Sequence, residues 1–134
     1  MNIKQMTDAE LGAAIFPDFG KYGTGDYSPI IEAIGCVLVQ CDEDGCQGDT
    51  LALVSKDGKY GFVTFGWGSC SGCDALQACT SVEEAGELAR QIANNAVWFE
   101  SLPEAQNFVA NRDWEVSYID KALVADFKQK VEAL

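Results

Sequence analysis

Apolar positions along the chain recur first at a helical spacing, then in three β-like runs, then again at a helical spacing. In "MTDAELGAAIF", Thr7 and Glu10 have the spacing of a capping box and Met6 and Leu11 that of a hydrophobic staple, which predicts a short helix to about Phe16. "IGCVLVQC" (34–41), "TLALVSK" (50–56) and "KYGFVTFGW" (59–67) are rich in β-branched and aromatic residues and predict strands. Asp57-Gly58 between the last two is a two-residue hairpin signal that sets Lys56 opposite Lys59. Leu51, Leu53, Tyr60 and Phe62 then share one face, and Ala52, Val54, Val63, Phe65 and Trp67 the other. Both faces are apolar, so either helices cover both sides or one face is a docking surface.

Helical spacing returns after residue 80. Ser81 and Glu84 accompany Val82, Ala85, Leu88, Ile92, Ala96 and Phe99 on one stripe; Ser101 and Glu104 open a shorter helix with Leu102, Ala105, Phe108 and Val109. Ile119, Leu123, Phe127 and Val131 form the stripe of a last helix. The pattern predicts one α+β domain over 1–134, a small antiparallel three-stranded meander packed by C-terminal helices.

Between the first helix and the first strand lies "PDFGKYGTGDYSP", whose three glycines and two prolines mark a loop. Its Tyr22 and Tyr27 either lie over a ligand or partner or pin the loop to the core. With 21 acidic against 9 basic residues the net charge is −12, which argues against nucleic acid and anionic membranes and favours a basic protein partner. No apolar run approaches the roughly 18 residues of a membrane span, and the N-terminus lacks the apolar core of a signal peptide, so the cytoplasm is the expected compartment. Histidine is absent, which removes Ser-His-Asp and Cys-His catalysis and leaves cysteine and carboxylate as the metal ligands to consider.

The chemistry concentrates in "FGWGSCSGCDALQAC" (65–79) and in the acidic loop "CDEDGCQGD" (41–49). A meander brings the two loops to one end of the sheet. Cys41 and Cys46 would then face Cys70 and Cys73, the two-knuckle arrangement of a structural four-cysteine zinc site. A second reading takes only the CxxC: at the start of a helix over "ALQACT", Cys70 would attack as a thiolate and Cys73 resolve. A third uses Gly66, Gly68 and Gly72 with Ser69, Ser71 and Asp74 to cradle a small anionic or nucleotide-like ligand, although Asp74 would oppose an anion. The plain alternative is that Asp74 caps a helix, the glycines make the turn, and the thiols fill the core with Cys36 and Cys79.

The phrase "YGFVTFGWGSCSGCDALQAC" resembles a family of small proteins found largely in bacteriophages and their hosts, in which an aromatic strand leads into a GSCSGCDAL-type motif. The resemblance covers about twenty residues. It implies a protein that binds a host or phage protein, in an inhibitory or anti-defence role and in the host cytoplasm. With no acid/base pair in view, the favoured expectation is a non-enzymatic binder without a cofactor. Tyr22, Tyr27, Trp67, Ser69, Ser71 and Asp74, with the acid run Asp42, Glu43 and Asp44, are its candidate contacts. Thiol–disulfide exchange by Cys70 and Cys73 and a zinc site on the four cysteines stand beside it as alternatives.

Overall fold

The computed structural model of the chain describes residues 2–20, 25–116 and 118–134. Tyr22, one of the two loop tyrosines, lies outside them. Helices α1 (Asp8–Ile15) and α2 (Ser28–Ile34) precede strands β1 (Cys36–Asp42), β2 (Gly48–Lys56) and β3 (Lys59–Trp67). Helix α3 (Val82–Asn95), strand β4 (Val97–Phe99) and helices α4 (Leu102–Asn111) and α5 (Lys121–Glu132) follow. No helix among the described residues is long and apolar enough to cross a membrane.

The β2–β3 register is the one the turn residues dictate. Asp57 (φ 53°) and Gly58 (φ 79°) both adopt positive φ, as a hairpin turn that matches strand twist requires, and Lys56 stands opposite Lys59. The sheet has one strand more than expected, in the order β1-β2-β3-β4 with antiparallel neighbours. Val97-Trp98-Phe99 breaks away from the helical stripe and pairs with Phe62, Gly61 and Tyr60. The two asparagines that end α3 are poor helix formers, and the β-branched and aromatic residues after them suit an edge strand.

The expectation of helices from the C-terminal half alone is also corrected, because α1, α2 and α3 cover one face and α4 and α5 the other. Ala52, Val54 and Val63 pack with Leu11, Ile30, Ile31, Ile34 and Ala85. Leu51, Leu53 and Phe62 pack with Ala105, Val109, Leu123 and Phe127. The apolar character of both sheet faces is thus explained by two helical layers. A bulge between Val37 and Val39 in β1 turns Val37 toward the first layer, while Val39 and Cys41 face the second.

Capping is as the spacing predicts at α1, where Thr7 Oγ1 accepts from the Glu10 N–H and Glu10 Oε1 from the Thr7 N–H. At α3 and α4, Ser81 and Ser101 accept from the N–H of Glu84 and Glu104, but those carboxylates reach one residue further back, to Thr80 and Glu100. Helices α1 and α3 touch through backbone. A Cβ on Gly12 would lie 1.7 Å from the Val82 carbonyl oxygen, and one on Gly86 would lie 1.8 Å from that of Asp8. Arg90 locks this crossing with an ion pair to Asp8 at 2.8 Å and a bond to the Ile3 carbonyl.

Candidate functional site

Strand β3 ends by delivering Gly68 to a buried carboxylate. Asp74 is 2% exposed; its Oδ1 accepts from the Gly68 N–H at 3.0 Å and the Tyr27 hydroxyl at 2.8 Å, and its Oδ2 accepts from the Gln77 N–H at 2.9 Å. The Tyr27 hydroxyl in turn accepts from the Leu76 N–H at 3.1 Å, and the Gln77 side chain donates to the Gly68 carbonyl at 3.0 Å. Tyr27 is buried with its ring stacked on Phe65 at 4.6 Å. Burial above all, with the Asp74 bond assisting, holds its phenol well above the ordinary value, so the hydroxyl stays a neutral donor. Both ends of the cysteine loop are therefore tied to one carboxylate. Tyr27 and Asp74, candidate contacts by sequence, fasten the loop to the core.

The two thiols stand outside this anchor. Cys70 and Cys73 are exposed, and their sulfurs lie 3.0 Å apart across a turn in which the N–H groups of Cys73 and Asp74 both reach the Cys70 carbonyl. Cys73 Sγ accepts from the Cys70 N–H at 3.3 Å. The Cys70 thiol first, then the Cys70 backbone N–H, with Ser69 adding to them, hold the Cys73 thiol below its ordinary value of 9.0. Gly68 makes room for the pair, since a Cβ there would fall 2.5 Å from the Cys73 carbonyl oxygen and 2.7 Å from its sulfur.

The expected helix over "ALQACT" does not form. Residues 75–78 make one turn, closed by Ala78 N–H to the Asp74 carbonyl and Cys79 N–H to the Leu76 carbonyl, and Thr80 and Ser81 then begin the cap of α3. No helix N-terminus therefore stands behind Cys70, and the local donors of the turn converge on the sulfur of Cys73.

The four cysteines of the zinc reading are not brought together. Cys41 is buried on the α5 side of the sheet, its thiol donating to Asp126 Oδ2 at 3.4 Å, and Cys46 is exposed in the β1–β2 turn. Burial first, then Asp126, pushes the Cys41 thiol up to about 11. Among the described residues no three Cys, Asp or Glu side chains are grouped to hold a metal ion. Of the thiols assigned to the core with them, Cys36 is exposed and Cys79 half-buried, with burial first and Glu84 next raising its pKa.

Beside the loop, at the same end of the sheet, a cleft of 240 Å³ gathers four of the residues singled out by sequence: Tyr27, Asp42, Glu43 and Trp67. Trp67 Nε1 donates to Thr50 Oγ1 at 3.0 Å, and the Thr50 hydroxyl donates to Asp42 in a short bond. Glu43 Oε2 accepts from the Asp49 N–H at 3.1 Å, and Asp26 adds a third carboxylate to the lining. Asp44, Ser69 and Ser71 are exposed and are not among its lining residues. Thr50, Asp26 and Gln77 are the contributors that sequence reasoning missed; Thr50 and Gln77 are placed by partners eight to seventeen positions away, and Asp26 by a local turn in which it accepts from the Ser28 N–H.

Comparison of the chain with protein-family models, with curated proteins and with solved structures gave no match.

Proposed function

We propose that the chain is a small thiol–disulfide exchange protein whose Cys70–Cys73 pair cycles between dithiol and disulfide. The observation that carries this reading is the 3.0 Å approach of two exposed sulfurs on a loop anchored at both ends. A disulfide bond is about 2.05 Å long, so closure needs the sulfurs to move by only about 1 Å.

In the forward step the Cys73 thiolate attacks one sulfur of a substrate disulfide. That S–S bond breaks, the released thiolate takes a proton from solvent, and a mixed disulfide remains on Cys73. Cys70 then loses its proton and attacks Cys73 Sγ. The Cys70–Cys73 bond forms, the second substrate thiolate leaves, and the pair has given up two electrons. A glutathione-class thiol or a second dithiol protein returns them.

Incubation with a disulfide-linked peptide tests the order. Cys70→Ser should accumulate a mixed disulfide on Cys73, and Cys73→Ser should accumulate far less on Cys70. Equal slow labelling of both variants, at the rate of an unfolded thiol, would remove the support for a tuned pair.

A second reading rests on the cleft. Three carboxylates beside Trp67 and Tyr27 suit a basic protein partner, whose lysine or arginine side chains would be held by charge and by the aromatic rim. A partner held there should be lost in Asp42→Asn with Glu43→Gln and kept in Cys70→Ser; the reverse pattern assigns it to the thiols.

A further inference from the structure

The opposite end of the sheet carries a second cleft of contrary charge. Three of the chain's nine basic residues, Lys4, Lys56 and Lys59, line a cavity of 520 Å³ together with Asn94, at the end of α3, and Trp98 of β4. Asp57 is the one acidic side chain of the lining and Glu100 pairs with Lys59 from beside it, so the formal local balance is three positive charges against two negative in a chain whose net charge is −12. The β2–β3 hairpin makes this concentration inevitable. Its turn sets Lys56 opposite Lys59, and Trp98 stands opposite Gly61 two residues along the same face.

Trp98 is presented rather than packed away. It is 39% exposed, and its ring lies against the bare backbone of Gly61, where a Cβ would fall 2.9–3.0 Å from three indole carbons. A part-exposed indole seated against glycine backbone offers its remaining surface for stacking. Lys59 is paired with Glu100 at 3.3 Å, but both side chains are more than half exposed, and such pairs exchange readily for a stronger anion.

We propose that this cleft binds a small aromatic anion of the nucleotide class, its base stacked on Trp98 and its phosphates held by Lys4, Lys56 and Lys59. The volume is in the range of small-molecule sites, about 300–1,000 Å³. The acidic remainder of the surface favours a free mononucleotide over a polymer, whose further phosphates would meet repulsion. The proposal uses no residue of the cysteine loop and stands independently of the exchange reading.

The test is calorimetric titration of the full chain with AMP and ATP, with adenosine and inorganic pyrophosphate as partial probes. ATP should bind more tightly than AMP, and both more tightly than either fragment. Lys59→Gln should weaken ATP by about tenfold, a loss of about 1.4 kcal/mol. Trp98→Ala should weaken ATP while leaving pyrophosphate unchanged. Because Trp98→Ala strips an edge strand, Trp98→Phe serves as the folded control and should retain most of the affinity. Absence of heat with ATP at about 1 mM, a range where sites of this class are occupied, would overturn the proposal. So would binding that pyrophosphate matches and that neither Lys59→Gln nor Trp98→Ala alters.

Discussion

Replacing Asp74 by alanine removes the single group on which both ends of the cysteine loop converge. The carboxylate accepts three hydrogen bonds at 2.8–3.0 Å from a position 2% exposed. After the change the Gly68 N–H and the Tyr27 hydroxyl are donors without an acceptor in the protein interior, each costing about 1–3 kcal/mol, while the part-buried Gln77 N–H can turn to water. The sum is a destabilisation of roughly 3–5 kcal/mol, a large share of the 5–15 kcal/mol that holds a typical domain together. For a chain of this size it lowers Tm by roughly 10–20 °C.

Thermal and urea unfolding followed by circular dichroism measure the loss, and Tyr27→Phe, which removes one donor of the same network, should cost less. The two changes share a partner, so the double variant should fall short of the sum. At a temperature where Asp74→Ala is still folded, alkylation of Cys73 should slow toward that of Cys70, because the loop no longer holds the Cys70 N–H on the sulfur. A loss below about 1 kcal/mol with unchanged thiol rates would refute the view that this carboxylate organises the loop.

Gly86→Ala, which in an ordinary helix interior would stabilise by about 1 kcal/mol, should here destabilise by about 2 kcal/mol or more, since its methyl meets the Asp8 carbonyl at 1.8 Å; the urea midpoint reads the sign. Cys41 has a raised folded pKa, so its contribution is whole below the ordinary thiol value of 9.0 and is lost as pH rises toward about 11. Stability should therefore fall by on the order of 2 kcal/mol across that window, and Cys41→Val should flatten the fall when unfolding is followed at successive pH values. Arg112 lies over three rings, those of Phe62, Phe108 and Trp114, at 5.4, 5.8 and 4.8 Å, and Arg112→Ala should cost about 1–2 kcal/mol in chemical denaturation.

The parts of this fold that were legible in the sequence are those set by short-range physics. Asp57-Gly58 gives the hairpin and its register because few dipeptides tolerate positive φ at both positions. Thr7, Ser81 and Ser101 mark helix starts because their hydroxyls satisfy orphan N–H groups. The apolar second face of the meander left a covering layer and a docking surface both open, and only the packing of α1, α2 and α3 against one face and of α4 and α5 against the other decides between them. What escaped was decided over distance. Phe99 continues an apolar helical stripe in sequence, yet Val97–Phe99 forms a strand against the edge that β3 offers.

The candidate site divides in the same way. Its glycines and cysteines were visible as a motif, whereas the bond between Tyr27 and Asp74 spans 47 positions and leaves no local trace. Cys41 could not be separated from the other thiols by spacing, because which face of β1 it occupies depends on the bulge at Leu38.

The most direct test of the exchange reading is a redox titration of the full chain in glutathione buffers, quenched with acid and read by mass after thiol labelling. A reversible two-electron transition is expected, in which Cys70 and Cys73 lose their labels together while Cys41 remains a thiol throughout. A Cys70–Cys73 pair that keeps both labels in the most oxidising buffer, or that oxidises only to separate glutathione adducts, would contradict it.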